Sequence, residues 1–196
     1  MTLRCLVTGS TGYVGGRLVR ELVGRGHNVR VLVRSPEKMR DFPWADQIEV
    51  IAGDANDSDD LTRAMENIDV AYYLMHSLQE GSNLEEAETQ MARTFAAAAG
   101  ESSLRRIVYL GGLAPDVPER DMSPHMRSRV RVGQILRASG VPTVEFRAAV
   151  IIGSGSASFE MLRYLTERLP AMITPRRVRT KTQPIAARDV LRYLVM

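Results

Sequence analysis

The sequence predicts an α/β fold in which one doubly wound parallel sheet is covered by helices on both faces. Two observations support this prediction. Short apolar segments rich in β-branched residues alternate along the chain with longer segments of helical periodicity. A glycine-rich turn also stands between the first apolar segment and the first helical one. Because strands that alternate with helices form parallel sheets through right-handed crossovers, we expect functional groups in the turns that follow the strands.

Six strands are expected, and each of the first five precedes a predicted helix. They are predicted at residues 3–7, 28–33, 48–51, 70–74, 106–110 and 143–152. Helices are predicted between them at residues 13–23, 58–65, 83–99 and 124–138, with a short one opened by Ser35 and Pro36. In the third of these, Asn83 is the expected cap. Apolar residues follow it at helical spacing: Leu84, Ala87, Met91, Phe95 and Ala98.

The residues after the sixth strand predict a small, incomplete C-terminal extension. A helix is expected at 157–169, then a segment at 178–185 and a last helical pattern at 189–195, which Asp189 would cap. The apolar side chains of helix 157–169 are expected in the core, with a pocket or a partner interface as the alternative. The prediction is therefore one domain, with a core at residues 1–152 and the start of a substrate-side extension at 153–196.

Composition and charge favour a soluble, cytoplasmic domain. The 196 residues include 26 basic and 23 acidic ones, a net charge of +3, and no tract of mixed aromatic and basic residues suggests nucleic-acid binding. We expect no membrane span and no signal peptide. The single cysteine, Cys5, is expected to be buried, and no metal site is expected. The basic segment PRRVRTK at 175–181 is expected to be a solvated loop or edge strand, with an anion site as the alternative.

The stretch VTGSTGYVGG carries the pattern GxxGxxG between the first strand and the first helix. Such a turn allows a close backbone approach, and it leads into a helix N-terminus whose amides favour phosphate. The sequence therefore predicts a Rossmann-type dinucleotide site with the pyrophosphate at this turn, and with Ser10 and Thr11 as hydroxyl donors. The expected contacts are Gly9, Ser10, Thr11, Gly12, Tyr13 and Gly15.

The end of the second strand indicates which dinucleotide is bound. An NAD site carries an acidic residue about twenty positions past the glycines, whereas Arg34 stands here, with Lys38 close behind. A guanidinium suits a 2'-phosphate, so NADP is favoured and NAD stays possible. The alternative is that Arg34 lies in solvent while Ser35 caps the next helix. Asp54 and Ala55 follow the third strand where adenine would lie, and Asp54 would bind the adenine amine or its own turn.

Together, VTGSTGYVGG, Arg34, the GDAND turn, YYLMHS, VYLGGL and QPIAARDVLRYLV resemble the atypical and extended short-chain dehydrogenases/reductases. The NmrA-like NAD(P)H-binding group is the most similar. In the family, a Ser near the end of the fifth strand and a Tyr-x-x-x-Lys pair on the next helix usually catalyse hydride transfer. This chain has Gly111 and Gly112 in the first place, and His125 with Arg129 in the second.

The resemblance therefore implies changed chemistry at the position of the Tyr and Lys. His125 would act as acid or base, and Arg129 would hold the nicotinamide ribose without moving a proton. The alternative is a solvated helix start, capped by Ser123 or Asp121, with its arginines in water. His76 is a further candidate, at the end of the fourth strand. Other polar residues near the expected cleft are less favoured: Tyr73, Ser77, Ser154 and Ser156.

Three functions stay open at this point. The first is an NADP-dependent oxidoreductase for a small carbonyl, imine or quinone-like substrate, with His125 or His76 assisting the proton. The second is a non-catalytic NAD(P)(H)-binding sensor or interaction module, which loss of the usual Tyr and Lys favours. The third, an NAD-dependent epimerase or dehydratase, is weakened by Arg34 and by the missing Tyr. A homo-oligomer or a protein partner also stays open.

Overall fold

A parallel sheet of six strands forms the centre of the protein, in the order β3-β2-β1-β4-β5-β6. The computed structural model describes residues 1–76, 84–168 and 182–196. The strands are β1 (Arg4–Thr8), β2 (Asn28–Val33), β3 (Glu49–Ala52), β4 (Val70–Tyr73), β5 (Arg106–Gly112) and β6 (Thr143–Ala148). The predicted fold class is confirmed.

Six helices accompany these strands in the described part of the chain. They are α1 (Tyr13–Gly24), α2 (Ser58–Met65), α3 (Leu84–Glu101), α4 (Pro124–Arg137), α5 (Ala157–Arg168) and α6 (Ala187–Leu194). Short 3-10 helices lie at Pro36–Met39, Ala45–Gln47 and Glu119–Asp121. Four of the main helices correspond to the long patterns that separate the predicted strands.

The sheet has an apolar layer on each face, which explains why its strands are apolar throughout. Cys5 and Val7 belong to the layer beneath α1 and α6, where Leu18 and Val190 pack. Leu6, between them in β1, belongs to the opposite layer, beneath α2, α3 and α4. Alternate side chains of one strand thus enter two different cores, as the period of a β-strand requires.

The strand order places the ligand crevice at the carboxyl ends of β1 and β4. From β1 the chain runs outward to β2 and β3, and it then crosses to β4, β5 and β6 on the other side. Thr8 of β1 lies in register with Leu32 of β2 and with Tyr73 of β4. Such a reversal of strand order leaves an opening beyond the strand ends, where ligands bind in open α/β sheets.

The predicted sixth strand, 143–152, is wrong in extent. Strand β6 ends at Ala148, and residues Ile151–Ile152 form a separate strand, β7. Strand β7 pairs in parallel with β8 (Ile185–Ala186) in a second, two-stranded sheet. The apolar run is continuous in the sequence, but its two halves bond to different strands, and the partner of the second half lies more than thirty residues further along.

One predicted helix start and one predicted capping hydrogen bond also differ from the structure. Helix α6 has Ala186 at its N-cap, and Asp189 lies in its first turn, where a carboxylate still favours the positive end of the helix dipole. Ser35 occupies the N-cap of the 3-10 helix that Pro36 begins, but its side chain makes no capping hydrogen bond. The predicted cap Asn83, the candidate Ser77 and the basic segment at 175–181 lie outside the described residues.

The remaining expectations concern burial and membrane contact. Cys5 is fully buried, as predicted. In α3, Ala87 is exposed rather than part of the apolar face. None of the helices in the described ranges has both the length and the apolar character that crossing a membrane requires.

Candidate functional site

The glycine turn lies between β1 and α1 and is pressed against β4. Gly9 has a φ of +76°, and a Cβ there would stand 2.6 Å from the carbonyl oxygen of Leu74, just after β4. A Cβ on Gly15 would stand 2.1 Å from the carbonyl oxygen of Gly9. Both positions therefore exclude any side chain, and the backbone of the turn is fixed at the crevice between β1 and β4.

The start of α1 is suited to an anion. Gly12 is its exposed N-cap, with no side-chain capping hydrogen bond and no acidic residue in the first turn. By contrast, the side chain of Asp57 caps α2 and that of Ser123 caps α4. The first amides of a helix have no acceptor within the helix, so those of α1 are available to a pyrophosphate. The residues present fit the dinucleotide that the sequence predicts.

The two hydroxyls of the turn differ in their position. Ser10 is fully buried, and its hydroxyl donates to the sulfur of Met39 at 3.9 Å. Thr11 is exposed. The structure therefore directs the Ser10 side chain away from the expected phosphate and leaves Thr11 as the accessible hydroxyl of the turn.

Tyr13 joins the start of α1 to the segment that follows β7. The guanidinium carbon of Arg17 lies 3.8 Å from the centre of the Tyr13 ring. The same guanidinium donates to the carbonyl oxygens of Tyr13, at 3.1 Å, and Ser154, at 3.2 Å. A Cβ on Gly153 would stand 2.3 Å from the Tyr13 hydroxyl. Ser154 thus contributes its carbonyl group, and the pyrophosphate end of the crevice is bounded by residues beyond the six-stranded sheet.

The residues expected at the adenosine end follow β2 and β3, which neighbour β1 on one side. Arg34 is exposed directly after β2, while Asp54 and Ala55 are half-buried after β3. The Asp54 carboxylate accepts hydrogen bonds from the backbone amide and the side-chain amide of Asn56, both at 2.9 Å. Asp54 therefore stabilises its own turn, which is one of its two predicted roles.

At the nicotinamide end, two residues of the YYLMHS stretch behave differently. His76 is exposed, three residues after β4 ends. Tyr73 is fully buried and packs edge-on against Phe95 and Tyr109. Burial raises the pKa of Tyr73 far above the range in which it could exchange a proton near neutral pH. Tyr73 is thus a core residue, and His76 is the accessible one.

The two residues that stand in place of the family's Tyr and Lys both lie on α4, but they differ in exposure. Ser123 caps the helix by accepting a hydrogen bond from the amide of Met126. His125 is exposed in the first turn, as the solvated alternative predicts. Arg129 is only 7% exposed, so the expectation that it lies in water is wrong. Burial lowers the pKa of Arg129 to about 10, which still leaves it charged at neutral pH.

The two glycines at the end of β5 make room for neighbouring side chains. A Cβ on Gly112 would stand 3.2 Å from the sulfur of Met126 and 3.4 Å from Cγ of Arg129. A Cβ on Gly111 would stand 2.9 Å from the Tyr109 ring. A Ser side chain in place of Gly112 would therefore have the sulfur of Met126 and the stem of Arg129 as its near neighbours on the α4 side.

Residues 9–151 match the model of a family described as NAD(P)H-binding. The chain belongs to that NAD(P)H-binding family. The match begins at the first glycine of the turn and ends at β7, so it includes both ends of the crevice. The predicted membership of the atypical and extended short-chain dehydrogenases/reductases is confirmed at the level of the superfamily.

Curated relatives of this NAD(P)H-binding chain include reductases and dehydrogenases. A 3β-hydroxysteroid dehydrogenase/Δ5→4-isomerase of Mycobacterium tuberculosis is 34% identical over 97 residues, which are 50% of this chain and 25% of that protein. A 4-hydroxy-2-methyl-3-oxo-4-farnesyl-3,4-dihydroquinoline-1-oxide ketoreductase of Stigmatella aurantiaca is 27% identical over 177 residues, 80% of this chain and 53% of that protein. The chain thus matches between a quarter and about half of these relatives' length.

Solved structures support the fold of the NAD(P)H-binding chain. The Bordetella bronchiseptica enzyme WbmH, solved in complex with NAD+, superposes with a TM-score of 0.79 at 18% identity. The superposition covers 100% of this chain and 71% of that one. At this identity the likeness establishes the fold and leaves the chemistry to the residues of the site.

Two buried residues of the NAD(P)H-binding chain escaped the sequence analysis. The Ser128 hydroxyl donates a hydrogen bond to the carboxylate of Glu88, which links α4 to α3 beside Arg129. Glu88 precedes Ala92 by four residues and Phe95 by seven, so it belongs to the apolar stripe of α3. A carboxylate in that stripe was the signal that could have identified it.

Proposed function

We propose that this chain is the cofactor-binding part of an NADP-dependent oxidoreductase that reduces a small carbonyl or quinone-like compound. The observation that supports this most is the position of Arg34. It follows β2 at the carboxyl edge of the sheet, next to the strand that leads into the glycine turn, and its side chain is exposed. A guanidinium in that place can bind a 2'-phosphate through paired hydrogen bonds.

The residues that would hold the cofactor line the crevice between β1 and β4. The uncapped amides of α1 would bind its pyrophosphate, Arg34 would bind the 2'-phosphate, and the turn at Asp54 and Ala55 would border the adenine. His76 and Gly112, beyond β4 and β5, would border the nicotinamide. When bound, NADPH supplies the hydride, and the protein supplies binding and orientation.

The chain's own contribution to the reaction is a proton donor and a fixed positive charge. His125 is accessible in the first turn of α4, so its imidazole can donate a proton to the carbonyl oxygen of a substrate that lies over this turn. Arg129 keeps its proton at neutral pH and therefore acts through charge and hydrogen bonds. His76 is the alternative donor, from the β4 side.

One observation favours a second candidate function. His125 lies in solvent, and nothing in the described structure directs its imidazole toward the crevice. A non-catalytic NAD(P)(H)-binding module, which senses the cofactor or supports a partner, needs no proton donor there. An NmrA-like role of that kind, alone or in a homo-oligomer, predicts cofactor binding without turnover.

The first test of the proposal is a titration of the protein with NADPH and with NADH, in which binding is measured by fluorescence. We expect tighter binding of NADPH, and we expect Arg34→Ala to remove most of that difference while NADH affinity changes little. The matched control is Arg20→Ala, which removes the same charge from an exposed position on α1. Equal affinities for the two cofactors in the wild-type protein would refute the NADP assignment.

The second test separates the enzyme from the module. NADPH oxidation is followed with a panel of small ketones and quinones, with the wild-type protein and with His125→Gln and His76→Gln. Turnover that falls at least tenfold in one of these variants, with NADPH affinity retained, supports an oxidoreductase with that histidine as proton donor. Binding of NADPH without turnover on any member of the panel favours the module.

A further inference from the structure

Arg129 is a buried cation on the side of the crevice away from the glycine turn. Its stem passes over Gly112 at the end of β5, and its charge interacts with the neighbouring Tyr73 of β4. With 7% of its surface exposed, it is the only buried arginine in the part of the chain that the structure describes. There, its guanidinium takes part in no hydrogen bond and no ion pair, and its nitrogens keep some contact with solvent, because no unpartnered side-chain nitrogen among the described residues is fully buried.

Other arginines close to this helix have carboxylate partners. Arg127, two residues earlier, lies 3.4 Å from a carboxylate oxygen of Glu85. Arg137 and Arg147 both pair with Glu145. These three arginines are more exposed to water than Arg129, so a counter-charge is less important for them, yet they have one. A guanidinium that has lost most of its water is costly unless an anion or several acceptors replace that water, and the nitrogens of Arg129 that still reach solvent are open to such a group.

The groups around Arg129 do not supply that anion. Burial keeps Tyr73 in its neutral phenol form by raising its pKa, so it can offer at most a neutral oxygen. The carboxylate of Glu88 accepts the Ser128 hydroxyl, and it forms no ion pair with Arg129 in the described ranges. The Tyr109 hydroxyl donates to the backbone carbonyl of Arg129 and leaves the guanidinium untouched.

The cofactor does not supply the anion either. Its phosphates belong to the start of α1 and to Arg34, which follow β1 and β2, whereas α4 follows β5 on the far side of β4. The part of a dinucleotide that would reach Arg129 is the nicotinamide ribose. Its hydroxyls can accept hydrogen bonds, but they are neutral and leave the positive charge uncompensated.

We propose that the missing counter-charge belongs to the substrate, and that the compound reduced here is an oxo acid whose carboxylate binds Arg129. This inference rests on the oxidoreductase proposed above and specifies its substrate class. A planar carboxylate matches the forked donors of a guanidinium, and the carbonyl one or two carbons away then lies beside the nicotinamide. One oxo acid, one NADPH and one proton give one hydroxy acid and one NADP+, and the carboxylate takes no part in the bond changes.

The experiment compares matched substrates in the presence of saturating NADPH. The pairs are 3-oxobutanoate with its ethyl ester and pyruvate with its methyl ester, assayed with the wild-type protein, Arg129→Lys, Arg129→Gln and Arg127→Gln. We expect at least one acid to be reduced with a kcat/KM at least tenfold above that of its ester. The preference should vanish in R129Q, persist in part in R129K and remain in R127Q, which loses the same charge from the same helix.

A binding measurement accompanies the assay, so that the test does not depend on turnover. Oxalate, a carboxylate with no ketone to reduce, is titrated into each NADPH complex, and the change in NADPH fluorescence is monitored. The wild-type complex should bind a carboxylate that the R129Q complex binds at least tenfold more weakly, while thermal unfolding shows that both are folded. Carboxylate binding that is absent, or equal in the two complexes, overturns the inference.

The outcomes separate this inference from the function on which it rests. If NADPH itself does not bind, the proposed function fails. If NADPH binds and esters are reduced as well as acids, the oxidoreductase stands and the oxo acid is excluded. If R129Q loses affinity for NADPH and for carboxylates to the same extent, Arg129 belongs to the cofactor's ribose, and the inference is likewise overturned.

Discussion

The Ser128 hydroxyl and the Glu88 carboxylate form a hydrogen bond across the interface of α4 and α3, and both residues are buried. A charged acceptor in an apolar interface makes such a bond strong and its loss costly. The bond fixes α4 one residue before Arg129. The position of the buried guanidinium thus depends on a contact that lies behind the site.

Replacing Ser128 by Ala should lower the free energy of unfolding by about 1–3 kcal/mol, because it removes a buried donor from a carboxylate. Urea unfolding followed by circular dichroism measures the change. The control is Thr62→Ala, which removes an exposed hydroxyl that donates to the carbonyl of Ser58 one turn earlier in α2. We expect a change within about 0.5 kcal/mol there. Equal effects of the two substitutions would show that the interface does not depend on this bond.

Two glycines of α1 should respond in opposite ways to the same added methyl group. Gly15→Ala would place its Cβ against the Gly9 carbonyl, so we expect a loss of about 1–3 kcal/mol in stability together with weaker NADPH binding. Gly24→Ala meets no atom within 4 Å at the last turn of the helix, where alanine is favoured by up to about 1 kcal/mol. Chemical denaturation of both variants tests this contrast. A neutral Gly15→Ala would mean that the turn is less closed than described.

Cys5 should make stability depend on pH in the alkaline range. Burial raises the pKa of its thiol from 9.0 to about 12, so the unfolded state loses this proton first. The stability that the neutral thiol contributes is therefore fully present below about pH 9. It falls by about 1.4 kcal/mol per pH unit as the pH rises toward 12. Cys5→Ala should reduce the slope of unfolding free energy against pH by that amount between pH 9.5 and 11. An unchanged slope would indicate that the thiol already titrates in the folded protein.

The fold was largely predictable because its signals are local. Six apolar segments separated by helical patterns, and a glycine turn after the first, were sufficient to predict a doubly wound parallel sheet. The order of the strands in that sheet was not predicted and comes from the structure. Strand β7 was not predictable, because its pairing with Ile185 depends on a contact across more than thirty residues. The displaced cap of α6 has a similar cause, since Ala186 ends β8 and so sets where the helix starts.

The candidate site was predictable in its backbone and less so in its side chains. Glycine spacing locates the turn, since Gly15 is required by its close approach to the Gly9 carbonyl within the same turn. The contact that requires Gly9 is with the Leu74 carbonyl after β4, which the spacing does not show. The burial of Arg129 could not be read from the sequence, because it depends on how closely α4 approaches β5. The position of Ser10 is a similar case, since the Met39 sulfur that accepts its hydroxyl hydrogen bond belongs to the 3-10 helix beyond β2.

The contact between Gly112 and the stem of Arg129 has an evolutionary consequence. A change of Gly112 to the family's Ser would place a Cβ 3.2 Å from the sulfur of Met126 and 3.4 Å from Cγ of Arg129, so the Met126 side chain would have to shift by a few tenths of an ångström. A change of Arg129 to the family's Lys keeps a Cγ at this contact. Neither position therefore blocks the other, and a lineage could regain the family's usual residues here in single steps.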